Sequence, residues 1–227
     1  MKIIYKNKDL VAISKPAGVP SQSDVSGDDD AMTLCARKLS SVGEPNSLWL
    51  IHRLDRVVGG VLVFARSKKS SAKLSAVFAE ANVDKRYLAV VDGFAEYGIF
   101  TDFLYKDATK NKAVVVDEKK KGAKYAELEC CPISTVDADN GTKTLVDIRL
   151  KTGRFHQIRA QFSSRKLPLT GDGKYGSHDS GAKFPALFAY SLSFEMEKNK
   201  HLFFDKPDVN QYPWSLFDKE SYEFMEK

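Results

Sequence analysis

The chain has 227 residues, 43% hydrophobic and 29% charged, enough apolar content for a core and enough charge for a water-facing surface. It has no run of about 18 apolar residues, so no membrane-spanning helix is expected. The net charge of +5 suits a polyanionic partner without requiring one. The opening MKIIYKNKDLVAISKP is interrupted by charge and lacks the apolar core of a signal peptide, which points to a cytoplasmic location. Cys35, Cys130 and Cys131 are odd in number, and the adjacent pair lacks CxxC or His ligand spacing. They read as buried free thiols, with neither a disulfide nor a metal site.

In chain order, Ile3 to Tyr5 and Leu10 to Ser14 are short strand-like runs about the polar turn Lys6 to Asp9. Lys15-Pro16-Ala17-Gly18-Val19-Pro20 then stops regular structure, because proline removes a donor and fixes φ. The polar, acidic stretch 21–30 reads as a loop. A short helix is predicted over Thr33 to Val42, with Leu34, Cys35 and Leu39 at helical spacing. The strand-like Leu48-Trp49-Leu50 delivers the block Ile51 to Phe64, IHRLDRVVGGVLVF. Its last four residues read as a buried strand, and Gly59-Gly60 permit close backbone approach or a bend where that strand begins. Asp55 falls on the entering loop, flanked by Arg53 and Arg56. A carboxylate among guanidiniums stays ionised, which suits a poised nucleophile and a plain ion pair equally.

A second helix follows Arg66 to Lys69, capped by Ser70 or Ser71, with Leu74, Val77, Phe78 and Ala81 on one face. Lys68, Lys69 and Lys73 read as its solvated side. Tyr87 opens the strand Tyr87 to Val91. Between residues 98 and 124 the chain is rich in lysine, and the alternation at Ala113 to Val116 predicts a hairpin with charged tips. That hairpin either faces a polyanionic partner or is ordinarily solvated. Tyr125 to Cys130 and Thr144 to Leu150 alternate as strands joined by the turn Asp137 to Gly141. Thr152-Gly153-Arg154-Phe155-His156-Gln157-Ile158-Arg159 turns on a glycine and enters a helix whose inward face includes Arg159 and Phe162. A buried arginine there demands a carboxylate partner. His156 lacks companion ligands at metal spacing and reads as a hydrogen-bonding residue. Leu167 to Gly176 is loop-like, Leu187 to Phe194 and His201 to Phe204 are strand-like, and the aromatic tail Tyr212 to Phe224 reads as a docked helix. One α+β domain over residues 1–227 is expected, with a central mixed, mainly antiparallel sheet flanked by helices.

Four stretches carry a resemblance: ISKPAGVPSQ, HRLD with its Gly-containing continuation, KRYLAVVDG at Lys85 to Gly93, and LKTGRFHQIRAQF…LPLTGDGKYG. In this order they resemble the RluA-type pseudouridine synthases, without a preceding S4-like RNA-binding module. The resemblance implies the pseudouridine synthase fold and a cofactor-free isomerisation of uridine in structured RNA, ribosomal or transfer. With no coiled-coil pattern or obvious apolar interface in the sequence, a monomer is expected. It implies Asp55 as catalytic carboxylate with Arg159 as its partner, and Tyr87 as an aromatic face on the uracil. It makes Arg53, Arg56, Lys15, Arg154 and His156 the substrate-binding candidates, Arg53 helping to fill the position that a flipped nucleotide vacates. Two departures stand out. Val57-Val58-Gly59-Gly60 replaces the family's usual Asp-Thr-Ser-Gly, and Leu187-Phe188-Ala189 replaces Leu-His-Ala. The first implies a less rigid loop, and with it a rival reading: a catalytically silent RNA-binding or ribosome-assembly protein. A nucleoside or sugar hydrolase built on Asp55 lacks a second carboxylate to serve as general acid.

Overall fold

The structure, a computed structural model, describes residues 1–25, 27–80 and 83–226. The chain divides into two compact units, Met1–Lys85 with Phe188–Pro207 and Arg86–Leu187 with Asp208–Lys227. The class is α+β, with mixed, mainly antiparallel β-structure and three short α-helices among the described residues.

In the first unit, β1 (Lys2–Lys6) pairs antiparallel with β2 (Leu10–Lys15), and β2 with β4 (Gly59–Ala65). The two-residue β3 (Trp49–Leu50) also pairs with β4. On its other side β4 runs parallel to the start of β10 (Leu187–Met196), which folds back on β11 (Asn199–Phe204). β4 is buried along its whole length, as its unbroken apolar run requires. Leu10, Ala12, Val61, Val63, Leu74, Leu192 and Phe194 form the core there. Helix α1 (Ala31–Ser40) begins two residues before the expected start because Asp30 caps it, its Oδ1 accepting the Thr33 N–H at 3.0 Å. Helix α2 (Lys68–Ala79) corrects the expected cap. Ser67 is the cap, and Ser70 sits three residues on, returning its hydroxyl to the Ser67 N–H in a reciprocal capping box. Leu74 is buried and Val77 and Phe78 pack on the core as expected, while Ala81 lies outside the described residues.

In the second unit the strand order is β5 (Asp84–Asp92, from Arg86 onward), β9 (Gly141–Leu150), β8 (Lys124–Ala138), β6 (Gly98–Asp107) and β7 (Lys112–Val116). The hairpins β6–β7 and β8–β9 are those expected, but the β8–β9 pair is longer and closes on two residues, Asp139-Asn140. Its register shifts between Pro132 and Ser134, where proline offers no N–H to the ladder. Helix α3 (Gln157–Ser164) begins directly after His156, which takes a left-handed conformation with φ 50°. The tail is also corrected. It forms two 3-10 segments, Trp214–Leu216 and Glu220–Glu226, instead of one helix. Asp218 captures the Ser221 N–H and hydroxyl and so restarts the chain between them, while Phe217, Tyr222 and Met225 are buried.

Two of the three cysteines are buried as read, and Cys131 departs from that reading. Cys35 and Cys130 are buried and Cys131 is half-buried, and burial pushes the first two up to about 11 and about 12. Among the described residues no helix is long and apolar enough to cross a membrane.

Candidate active site

In the first unit the KPAGVPS and HRLD segments lock into one structure. Ser21, buried, clamps the residue before Asp55 from both sides. Its hydroxyl donates to the Leu54 carbonyl at 2.8 Å and accepts the Leu54 N–H at 3.1 Å. Behind Asp55, the Arg56 carbonyl accepts the Gly18 N–H at 2.8 Å and Lys15 Nζ at 3.2 Å, and Arg56 Nε donates back to the Gly18 carbonyl at 3.0 Å. Val58 N–H closes the turn on the Asp55 carbonyl at 3.0 Å. His52 pins the front of the block to β4, since its Nε2 accepts the Val63 N–H at 3.1 Å and its ring stacks on Phe78. Burial, then the Lys85 charge, pushes His52 down to about 3, so it stays neutral and keeps that acceptor. Asp55 is thus a half-buried carboxylate on a backbone fixed at both flanks.

Lys15 is wholly buried, and its three ammonium protons meet three carbonyls, of Val19 at 2.6 Å, Pro16 at 3.0 Å and Arg56 at 3.2 Å. That is the geometry of a brace. Burial pushes its pKa down to about 7, the charge of Asp55 opposing the fall and that of Arg56 adding to it. The unfolded chain therefore binds the proton more tightly, and between about pH 7 and the ordinary lysine value of about 10.4 stability rises with pH. Lys15→Met removes this dependence and leaves the carbonyls without their donor, which costs about 1–3 kcal/mol. The stability gap between wild type and variant should widen from pH 7 to pH 9 in urea titrations. A gap that narrows contradicts the buried, depressed lysine.

The two departures from the family pattern meet in space. A Cβ on Gly59 would lie 3.1 Å from the Phe188 ring, and one on Gly60, at φ +119°, would lie 2.2 Å from the Ala189 carbonyl oxygen. Gly59 and Gly60 are buried residues of β4, paired with Phe188 and Ala189. The expected loosening of a loop is therefore corrected at these two positions: they belong to a packed strand where backbones approach closely. A bulkier ring at 188 goes with a missing side chain at 59. Gly59→Ser should cost about 1–3 kcal/mol by overpacking. Adding Phe188→His should return at least about 0.5 kcal/mol of it in a double-mutant cycle, and strictly additive costs would sever the link.

In the second unit Arg159 is buried on α3, and within that unit Asp172 sets a carboxylate on it. Arg159 Nε donates to Asp172 Oδ2 at 2.6 Å and Nη2 to Oδ1 at 2.8 Å, a bidentate pair. The guanidinium also lies over the Tyr175 ring, 4.8 Å from its centroid. Its Nη1 faces His156 Nε2 at 3.3 Å, while His156 Nδ1 meets the Tyr175 hydroxyl at 2.9 Å. Only one tautomer serves both contacts: Nδ1–H donates to the tyrosine oxygen and Nε2 accepts from the arginine. Burial, then the Arg159 charge, holds His156 at about 3, consistent with that neutral form. The loop bearing Asp172 is fastened to β5 and β9. Asp92 N–H donates to the Pro168 carbonyl, and Thr170 N–H to that of Val90. The Asp92 carboxylate accepts Thr170 Oγ1 at 2.7 Å, Ser177 Oγ at 2.5 Å and Lys143 Nζ at 2.6 Å.

The sequence-derived residues thus fall into two groups. Lys15, Asp55 and Arg56 share one loop pair in the first unit, with Arg53 exposed beside them. The Arg56 guanidinium is paired with Asp28 and lies 3.8 Å from Asp24, both on the loop 21–30. Arg154, His156 and Arg159 share the second unit, where Arg154 Nε donates to the Tyr125 carbonyl at 2.8 Å. Tyr87 is half-buried on β5, between Arg86, paired with Asp147, and the buried Leu88. Sequence reasoning did not single out Ser21, Asp172 or Tyr175. Asp172 and Tyr175 sit in LPLTGDGKYG, so the demand of a buried Arg159 for a carboxylate was the available signal. Ser21 sits in ISKPAGVPSQ, but no chemical demand within that stretch picked it out.

A family profile described as RNA pseudouridylate synthase matches residues 9–164, which include Lys15, Asp55, Tyr87 and Arg159. The ribosomal large subunit pseudouridine synthase D of Zymomonas mobilis is 30% identical over 184 residues, covering 78% of this chain and 56% of the relative. The tRNA pseudouridine synthase C of Haemophilus ducreyi is 34% identical over 184 residues, covering 78% and 74%. Among solved structures, human RNA pseudouridylate synthase domain containing 4 superposes with a TM-score of 0.75 at 21% identity, covering 92% of this chain and 89% of that one. The chain is similar to only 56% and 65% of the length of two ribosomal relatives, from Zymomonas mobilis and Borreliella burgdorferi. The α+β fold is that of the pseudouridine synthases. The chain belongs to the RNA pseudouridylate synthase family, in its RluA-type branch.

Proposed function

We propose that this chain isomerises a specific uridine of structured RNA, ribosomal or transfer, to pseudouridine, with Asp55 as the catalytic carboxylate. The supporting observation is that the family match spans Asp55 while Ser21, Gly18, Lys15 and His52 fix the backbone that carries it. The reaction breaks the N1–C1′ bond, turns the uracil, and joins C5 to C1′, the proton leaving C5 being balanced by one gained at N1. No electrons are exchanged with a second molecule and no group is added, so one ionised carboxylate is the central requirement. Asp55 attacks C1′ or removes a proton from C2′. Tyr87 and Arg159 are the other two catalytic residues, Tyr87 by stacking its ring on the uracil. Arg53, Arg56 and Arg154 serve substrate binding, while Lys15 and His156 act through the groups they hold. A uridine within a helix must be flipped out, at a cost of a few kcal/mol, and exposed Arg53 suits the vacated position. Residues 1–227 work as one catalytic domain, as a monomer in the cytoplasm.

The test is incubation with RNA carrying 5-fluorouridine in place of uridine. The reading predicts a protein–RNA adduct or rearranged fluorinated product with wild type and neither with Asp55→Ala. Binding without either outcome in wild type would favour the silent RNA-binding reading.

A further inference from the structure

We propose that the β6–β7 hairpin and Lys174 form a phosphate-binding face for the RNA flanking the target nucleotide, an inference that rests on the function proposed above. Residues 106–124 hold seven lysines against three acids, a net of +4, where the whole chain carries +5. Nearly all the excess charge thus resides in one hairpin and the turn after it. Two of the three local acids serve turns. Asp107 Oδ1 accepts Thr109 N–H at 3.0 Å, its hydroxyl at 2.6 Å and Lys110 N–H at 3.2 Å, and Asp117 accepts Lys119 N–H at 2.9 Å.

Elsewhere Lys6 sits on Glu44, Lys73 on Glu197, and Lys143 on Asp92 and Asp179, while Lys15 and Lys38 donate to carbonyls and Lys85 and Lys183 lie singly over rings. In the hairpin several lysines held without a carboxylate lie together. Lys106 Nζ lies 4.5 Å from the Phe155 ring centroid, Lys112 4.5 Å from Tyr175, and Lys120 4.5 Å from Tyr105. Lys174 Nζ donates to the Asn111 carbonyl at 2.6 Å, at the tip of the hairpin. A ring or a carbonyl fixes a lysine while leaving its charge uncancelled. The result is a row of positioned cations with charge left over, which a chain of phosphates matches. The row also touches the site. Phe155 stacks on His156 at 3.8 Å, and Tyr175 lies under Arg159 and bonds His156. RNA backbone held by Lys106 and Lys112 would therefore run beside the Arg159 cluster.

The test measures binding of the full chain to unfractionated tRNA across salt concentrations. Lys106→Gln, Lys112→Gln and Lys174→Gln together should lower the slope of log affinity against log salt by about 2–3 and weaken binding about 10- to 100-fold at 0.1 M salt. Lys8→Gln, Lys68→Gln and Lys69→Gln together should change the slope by less than about one. Lys106→Arg with Lys112→Arg keeps charge and ring contact and should keep the wild-type slope, which separates charge loss from a folding defect. A triple hairpin variant with the wild-type slope overturns the proposal, as does an equal fall in the control triple. Pseudouridine formation by wild type, read in parallel on total cellular RNA, judges the catalytic reading separately. Failure there leaves the slope to decide whether this face binds RNA at all.

Discussion

Asp55→Ala should lower pseudouridine formation by about 10³-fold or more while RNA affinity changes less than about threefold. The backbone at position 55 is held by Ser21 on Leu54 and by Gly18 and Lys15 on the Arg56 carbonyl, none of which needs the Asp55 side chain. Truncation therefore removes the reacting group and leaves its platform. Asp55 also opposes the burial of the Lys15 charge, so the variant should shift Lys15 further from its ordinary value without releasing the loop. Nucleoside chromatography of digested RNA gives the rate, and filter binding gives the affinity. Turnover within tenfold of wild type would place the chemistry elsewhere.

Arg159→Met should destabilise the protein by about 3–5 kcal/mol and abolish turnover with it. The substitution strands the Asp172 carboxylate, only 1% exposed, without the bidentate partner that justifies its burial. Arg159→Lys keeps the charge but a single ammonium cannot span both oxygens, so it should recover only part of the loss. Arg159→Met with Asp172→Leu replaces the pair by apolar groups, and stability should return to within about 1–2 kcal/mol of wild type. Turnover should not return, because the guanidinium is gone. Urea titration and the chromatographic assay on the same samples separate the two effects. If the apolar pair were fully active, Arg159 would be structural only.

Much of this was legible from residue order. The unbroken apolar run Val61 to Phe64 announced a strand buried on both faces, and β4 is one. Arg159 on an apolar helix face announced a buried ion pair, and it makes one with Asp172, a residue that the resemblance did not nominate as its partner. What stayed hidden depends on chain segments far apart in sequence. Ser21 lies in the stretch ISKPAGVPSQ, but its role appears only when it meets Leu54, 33 positions later. The pairing of Gly59 with Phe188 spans two distant segments, so each departure looked like an isolated loss. The α2 cap was misplaced by three or four residues because serines 67, 70 and 71 compete, and only reciprocal geometry selects Ser67. The aromatic tail carried the content of a docked helix, yet the side chain of Asp218 bonds its own backbone and breaks the run.

The measurement closest to the central claim is pseudouridine mapping of total cellular RNA in a deletion strain, rescued by wild type or by Asp55→Ala. The account predicts one or a few sites lost on deletion and restored by wild type alone, which would identify the RNA together with the reaction. Restoration by Asp55→Ala, or no site lost at all, would contradict it.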